Sequence, residues 1–287
     1  MPQTASSTGS SWISLEGMGI RIGFVSRNDP DSLRLVEKLV KRFGSRAEIM
    51  VDKDVSKQIG IEGRPVEEMD ADFIVSVGGD GTILRTIHRM KDPIPILGIN
   101  MGTVGFLVDV EPKEAVKTLE HLLFGFEVDE RTRLEISLDG EMLPPATNEV
   151  VLITASPAKL LDFQITVGSS LLERLRADGM IFATSTGSTA YAMSAGGPIV
   201  DPRVDAIVLV PVAPFKLSAR PWVIPGDSEI KVKLTLPGKE ALVVIDGQNM
   251  RNVTDRDVIT IGRSPNPARF VRASRDGFYE KVKTKLS

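Results

Sequence analysis

Five residues, Gly78-Gly79-Asp80-Gly81-Thr82, hold the densest potential chemistry of the chain. An apolar run, Phe73-Ile74-Val75-Ser76-Val77, leads into them, and Ile83, Leu84, Ile87 and Met90 follow at helical spacing. Strand, glycine turn and helix together leave unpaired backbone N–H groups at a helix N-terminus, where the dipole favours an anion. Three glycines let a ligand approach the backbone with no Cβ in the way. An aspartate in such a cradle repels phosphate, so its task differs: to hold a metal ion or to take a proton from a nucleophile. Read locally, the same residues also describe an ordinary strand-to-helix turn whose aspartate caps the helix.

A second concentration begins at Arg176-Ala177-Asp178-Gly179-Met180 and runs from Thr184-Ser185-Thr186-Gly187-Ser188-Thr189 through Ala190-Tyr191-Ala192-Met193-Ser194 to Gly196-Gly197-Pro198. Hydroxyls and glycines exceed what a connecting loop needs. Ser185 to Thr189 offer an N-cap for a short helix ending at Ser194. Small residues admit a flat or extended ligand, and hydroxyls can read its polar edges. Asn148-Glu149 stands at the head of an apolar strand, where a polar pair also serves as a plain strand entry. Asp246-Gly247-Gln248 reads locally as a hairpin turn.

The elements that must carry these groups follow from periodicity. Residues 20–100 alternate short apolar strands with amphipathic helices, the pattern of a parallel sheet covered by helices. Asp29-Pro30 opens a helix whose apolar face is Leu33, Val36, Leu39, Val40 and Phe43, and Gly44 is a fitting stop. Residues 52–71 are polar, with one short helix expected around Val66 to Met69. In such sheets ligands sit beyond the carboxyl ends of the strands. That edge should carry both the Gly78 turn and a second glycine loop, Asn100 to Leu107. After a helix begun at Glu111-Pro112 the pattern changes to short alternating runs separated by turn signals, which predicts a β-rich, mostly antiparallel domain. The expected fold is a Rossmann-like α/β N-terminal domain, residues 20–113, followed by a β-rich domain, 114–271. Residues 272–287 are expected to form a helix packing back on the first domain, and 1–19 a flexible extension.

Composition narrows the function classes. The 287 residues include 35 basic and 38 acidic side chains, a net charge of −3, which gives no basic surface for nucleic acid. With no cysteine, disulfides, thiolate nucleophiles and iron–sulfur clusters are excluded. The two histidines, His88 and His121, have no histidine neighbours and read as helix-surface residues, not as a metal site. The longest apolar run, Ala206 to Ala213, is too short to span a bilayer and contains proline. The N-terminus lacks a basic start and a continuous apolar core, so no secretory signal is read there and the expected location is cytoplasmic.

Taken together, these residues resemble the NAD kinase family, a two-domain architecture shared in outline with diacylglycerol kinases. The resemblance rests on Gly78 to Thr82, Gly98-Ile99-Asn100-Met101-Gly102, Asn148-Glu149, Arg176-Ala177-Asp178-Gly179, Thr184 through Pro198, Arg220-Pro221 and Asp246-Gly247-Gln248, in order. It covers about Ile20 to Phe278. It implies transfer of a phosphoryl group from ATP or polyphosphate to the 2′-hydroxyl of the adenosine ribose of NAD. It also implies Mg²⁺ or another divalent cation held through donor phosphates with no protein ligand, and a homodimer or homotetramer whose NAD sites include residues of a neighbouring subunit. By position, Asp80 would be the catalytic base, and Gly78, Gly79, Gly81 and Thr82 the phosphate cradle. Asp80, Gly81, Arg85, Asn148, Glu149, Lys159, Arg176, Asp178, Thr189, Ala190, Tyr191, Ala192, Met193, Ser194 and Gln248 would contact NAD. Phe215 departs from the family pattern, which has a polar residue there. The competing readings are a lipid or sugar kinase sharing the glycine turn and a non-catalytic NAD-binding protein. A dinucleotide dehydrogenase would need G-x-G-x-x-G after the first strand, and Ser26-Arg27-Asn28-Asp29-Pro30 has no glycine.

Overall fold

Alternating strands and amphipathic helices build a seven-stranded sheet in the first of two units, Met1–Glu130 with Ala268–Ser287. The computed structural model describes residues 10–15, 19–102, 105–156, 158–273 and 278–286. In chain order this unit contains β1 (Ser10–Ser14), β2 (Arg21–Ser26), α1 (Pro30–Phe43), β3 (Glu48–Val51), α2 (Lys53–Ile59), β4 (Phe73–Gly78), α3 (Asp80–His88), β5 (Ile96–Asn100), α4 (Ala115–Leu122) and β6 (Gly125–Arg131). The sheet runs β1, β6, the returning strand Ala268–Val271, β5, β4, β2, β3. β3, β2, β4 and β5 are mutually parallel, as is the returning strand against β5. α1 starts where Asp29 accepts the Ser32 N–H at 3.2 Å, ahead of Pro30, and it buries Val36, Leu39 and Phe43. These join β2, β4 and α4 in one core, while α3 packs Ile83 and Ile87 into another. β4 is buried along its whole length, which is why it reads as an unbroken apolar run.

Three expectations change here. Within the expected extension, Ser10–Ser14 forms a strand paired antiparallel with β6, Trp12 opposite Glu127; residues 1–9 and 16–18 lie outside those described. A five-residue, serine-rich strand shows no alternation by itself, and its order comes from the ladder it joins. The expected boundary at residue 113/114 moves to 130/131, and the second crossing from 271/272 to 267/268. α4 puts Ala115, Leu119 and Leu122 into the same core as β2, so the helix and the strand after it stay with the first unit. The polar segment 52–71 holds α2 as well as a 3₁₀ turn at Val66–Glu68.

The second unit, Arg131–Pro267, is built of antiparallel strands. They are β7 (Leu134–Leu138), β8 (Glu141–Ala146), β9 (Glu149–Thr154), β10 (Leu161–Val167), β11 (Ser170–Ala177), β12 (Gly179–Thr184), β13 (Ala206–Val212), β14 (Trp222–Pro225), β15 (Ile230–Leu234), β16 (Glu240–Ile245), β17 (Asn249–Thr254) and β18 (Ile259–Arg263). One sheet has the order β11-β10-β15-β18-β7-β8, the other β14-β13-β12-β9-β16-β17. Phe163, Val232 and Ile261 of the first meet Phe182, Leu209 and Val243 of the second in a shared core. The far face of the second sheet buries Val151, Ile181 and Val208 under Ala192 of α5 (Tyr191–Ser194). β12 is buried along its whole length and β13 along all but its last residue, and apart from Thr184 at the end of β12 neither carries a polar side chain. β19 (Ala268–Val271) and α6 (Phe278–Leu286) then return to the first unit. There α6 lies on the loop after β5, with Lys281 Nζ donating to Phe106 O at 3.2 Å and Lys285 Nζ 4.2 Å from the Phe106 ring centroid. Among the described residues, no helix is long and apolar enough to cross a membrane.

Candidate active site

The parallel register sets Gly78, the last residue of β4, beside Asn100, the last of β5. Both glycine loops therefore leave the sheet at one edge, and Met101 N donates to Gly78 O at 2.9 Å. α3 starts at Asp80, and no side chain caps its first turn. The aspartate does not cap its own helix. Its carboxylate instead crosses to the second loop, where Oδ2 accepts Phe106 N–H at 2.7 Å and Oδ1 accepts Leu107 and Val108 N–H at 3.0 and 3.3 Å. A carboxylate offers about four acceptor directions, so three amides fix its orientation and leave capacity on Oδ2.

The glycines divide by what surrounds them. A Cβ on Gly78 would come 2.3 Å from Thr82 Oγ1, and one on Gly105 would come 2.2 Å from Asp80 Oδ1. A Cβ on Gly79 or Gly81 would meet nothing within 4 Å. Of the expected cradle, then, Gly78 and Thr82 are buried against each other, whereas Gly79 and Gly81 face open space. Arg85 is exposed on α3, its Nη2 3.5 Å from Thr82 Oγ1.

In the second unit Asn148 and Glu149 stand at the start of β9, opposite the end of β12. Thr184 N donates to Asn148 O at 2.8 Å, and Thr184 Oγ1 donates to Thr147 O at 2.7 Å while accepting Gly187 N–H at 3.0 Å. Gly187 lies so close that a Cβ there would be 2.0 Å from Asn148 O. Asp246 reaches the same turn. Its φ of 45°, followed by Gly247 at 69°, folds the β16–β17 turn so that its buried carboxylate accepts the N–H groups of Thr147, Asn148 and Glu149 at 2.7, 2.8 and 2.9 Å. Burial first, and the Asp246 charge second, push the Glu149 carboxyl up to about 8, opposed by a hydrogen bond from the Tyr191 backbone.

The hydroxyl-rich loop behaves differently from its expected role. Ser188 Oγ donates to Ser185 O at 2.7 Å and accepts Val200 N–H at 3.0 Å, Ser185 Oγ bonds the Val204 and Ala206 carbonyls, and Thr189 Oγ1 donates to Thr186 O. These hydroxyls are buried and spent on the backbone, and α5 follows Ala190 with no side-chain cap. Ala192 is in the core. Tyr191 and Ser194 are the exposed polar residues of the segment, with Ala190 and Met193 half-buried. Gln248 is exposed two residues beyond Asp246.

Three expected contacts lie elsewhere in the unit. Asp178 precedes β12, so it sits five residues from the Ala183–Glu149 pairing, roughly 16 Å at about 3.3 Å per residue. Arg176 is beside it, its guanidinium 5.6 Å from the centroid of the exposed Phe215 ring. Lys159 is exposed in the loop before β10. Within one chain these three do not converge with Asn148 and Glu149.

Residues 31–125 match the family model of the ATP-NAD kinase N-terminal domain, and 147–273 that of the ATP-NAD kinase C-terminal domain. The NAD kinase of Methanosarcina mazei is 55% identical over 271 residues, 93% of this chain and 94% of that protein. The chain belongs to the NAD kinase family. A further NAD kinase, from Methanosarcina acetivorans, is 56% identical over 275 residues, 94% of this chain and all of that protein. The solved NAD kinase of Archaeoglobus fulgidus in complex with ATP superposes with a TM-score of 0.75 at 34% identity, covering 92% of this chain and 99% of that one.

As an NAD kinase the chain is an enzyme that phosphorylates NAD, and a lipid or sugar acceptor is not favoured. Sequence reasoning missed the partners of its prominent residues: Gly105 and the amides 106–108 for Asp80, and Asp246 for Asn148-Glu149. The only local signal for Asp246 was an Asp-Gly pair at a strand end, which any hairpin shows.

Proposed function

We propose that this NAD kinase uses ATP with a divalent cation and Asp80 as the base that orients the 2′-hydroxyl of the adenosine ribose. The observation that carries the reading is the Asp80 carboxylate, turned away from its own helix, held by three amides and flanked by the open faces of Gly79 and Gly81. A phosphoryl transition state is largely loose, so positioning and charge stabilisation supply most of the rate. The uncapped amides at the start of α3 suit donor phosphate oxygens. As the 2′-oxygen bonds the γ-phosphorus, the bond to the β–γ bridging oxygen breaks, ADP leaves and the hydroxyl proton passes to Asp80. Among the described residues no three His, Cys, Asp or Glu converge to hold a metal, and Asp80 is largely engaged by amides. A magnesium ion would enter with the donor phosphates, where it would neutralise developing charge.

Asn148 and Gln248, with exposed Tyr191 and Ser194, would form the acceptor side. The distance of Asp178 and Arg176 from them supports self-association, a second copy supplying that end of the NAD site. The exposed Phe215 and Leu217 next to Arg176 suit such a contact. A cytoplasmic location fits a chain whose described helices are unsuited to spanning a membrane.

Incubation with NAD, ATP and Mg²⁺ should yield NADP, detected with a dehydrogenase that accepts only NADP. Polyphosphate in a parallel reaction identifies the donor, and no NADP with either would overturn the reading. Asn148→Ala should weaken NAD binding by about tenfold, the equivalent of one side-chain hydrogen bond of about 1.4 kcal/mol, with a smaller change in turnover. An unchanged Kd by calorimetry would remove Asn148 from the site.

A further inference from the structure

Asp246 accepts three consecutive N–H groups and donates its own N–H to Glu149 O at 3.0 Å, so its carboxylate is committed to the turn that presents Asn148. Glu149 lies beside it and is 7% exposed. Its side chain takes the Tyr191 N–H, while Oε2 is buried with no hydrogen-bond partner. Two adjacent buried carboxyl groups do not both ionise at neutral pH. Asp246 faces three N–H donors and Glu149 one, so the charge belongs on Asp246.

We infer that the pair works with a single negative charge, on Asp246, and a protonated Glu149, and that Asp246 is a positioning residue which in this state sets Asn148 for the acceptor nucleotide. The inference rests on the reading that Asn148 and Glu149 belong to the NAD site. The groups facing Glu149 agree with it. β16 brings Asp246; across β12 stands Ala183, which does not titrate. The segment above brings Tyr191, and Arg131 Nη1 lies 3.5 Å from Thr186 Oγ1 of the same segment. Ionising Glu149 would set two like charges against each other and push the turn off Asp246.

The sign of the pH effect follows. The folded Glu149 carboxyl titrates at about 8 against an ordinary 4.5. Between these values the folded chain holds a proton that the unfolded chain has released, so stability falls as pH rises through that window. Glu149→Gln, a neutral isostere, removes this dependence. NAD brings no group that titrates above neutral pH, so calorimetric titration from about pH 6 to 9.5, below the ordinary range of Tyr and Lys, reads Glu149 itself. The wild-type Kd for NAD should rise by about tenfold per pH unit above about 8, with kcat at saturating NAD changing less than KM, and the Gln variant should show a flat profile. Denaturant unfolding across pH 5 to 8 should give a wild-type folded-to-unfolded ratio that falls by up to about tenfold per unit relative to the Gln variant. A flat wild-type Kd, or a Gln profile that falls in parallel with wild type, would overturn the inference. Glu149→Ala separates the two readings. If it leaves NAD binding unchanged at pH 7, the acceptor-site assignment fails; if it weakens binding while the wild-type profile is flat, only the protonation inference fails.

Discussion

Asp80→Asn should lower turnover by about 10²–10⁴-fold, the usual worth of a positioned general base, while NAD affinity stays within about threefold. The amide cannot take the ribose proton. It also cannot reproduce the contacts of the carboxylate, because both aspartate oxygens accept N–H bonds from the 106–108 loop. Asparagine has one acceptor oxygen, so its NH₂ must face either Phe106 N–H or the Leu107 and Val108 pair. The loss of charge-assisted bonds predicts a destabilisation of about 1.5–3 kcal/mol, visible as a lower denaturation midpoint. Calorimetry for NAD binding and single-turnover kinetics for chemistry keep the two effects apart. Turnover equal to wild type in a variant with the expected stability loss would leave Asp80 as a loop anchor and nothing more.

Gly187→Ala should raise the KM for NAD by at least about tenfold, or about 1.4 kcal/mol, and cost about 1–3 kcal/mol of stability by overpacking. The added Cβ would lie 2.0, 2.4 and 2.7 Å from Asn148 O, C and Cα. These are backbone atoms and cannot rotate aside, so the Thr147–Glu149 turn must move. That strains the Thr184 bonds to Thr147 and Asn148 on one side and the Asp246 bonds on the other. Gly81→Ala, whose Cβ meets nothing within 4 Å, is the control for fold stability. Equal NAD affinity and equal midpoints for Gly187→Ala and wild type would show that the turn accommodates the methyl group.

Much of the architecture was legible because its signals are local. A parallel sheet covered by helices announces itself through the Phe73–Gly78 run and the Val36, Leu39 and Phe43 stripe, since burial on two faces or one stripe dictates those patterns. The glycine turn, the Asn148-Glu149 pair and the hydroxyl-rich loop stood out for the same reason: their residue types are costly in regular elements. Ser10–Ser14 was illegible, since a short strand is defined by the partner it pairs with and not by its own composition.

The sequence by itself determined the family, the two kinds of sheet and the candidate residues for NAD phosphorylation. Only the tertiary structure decided what those residues do for one another. Asp80 could cap α3 or serve chemistry, and its three bonds to a loop 26 to 28 residues away decide against the cap. The hydroxyls of Ser185 and Ser188 could read a ligand or hold the chain, and their burial assigns them to the chain. Asp246 lies nearly a hundred residues from the turn it fixes. Hydrogen-bond partners so remote in sequence leave no periodicity to read, because they are set by which strands lie side by side.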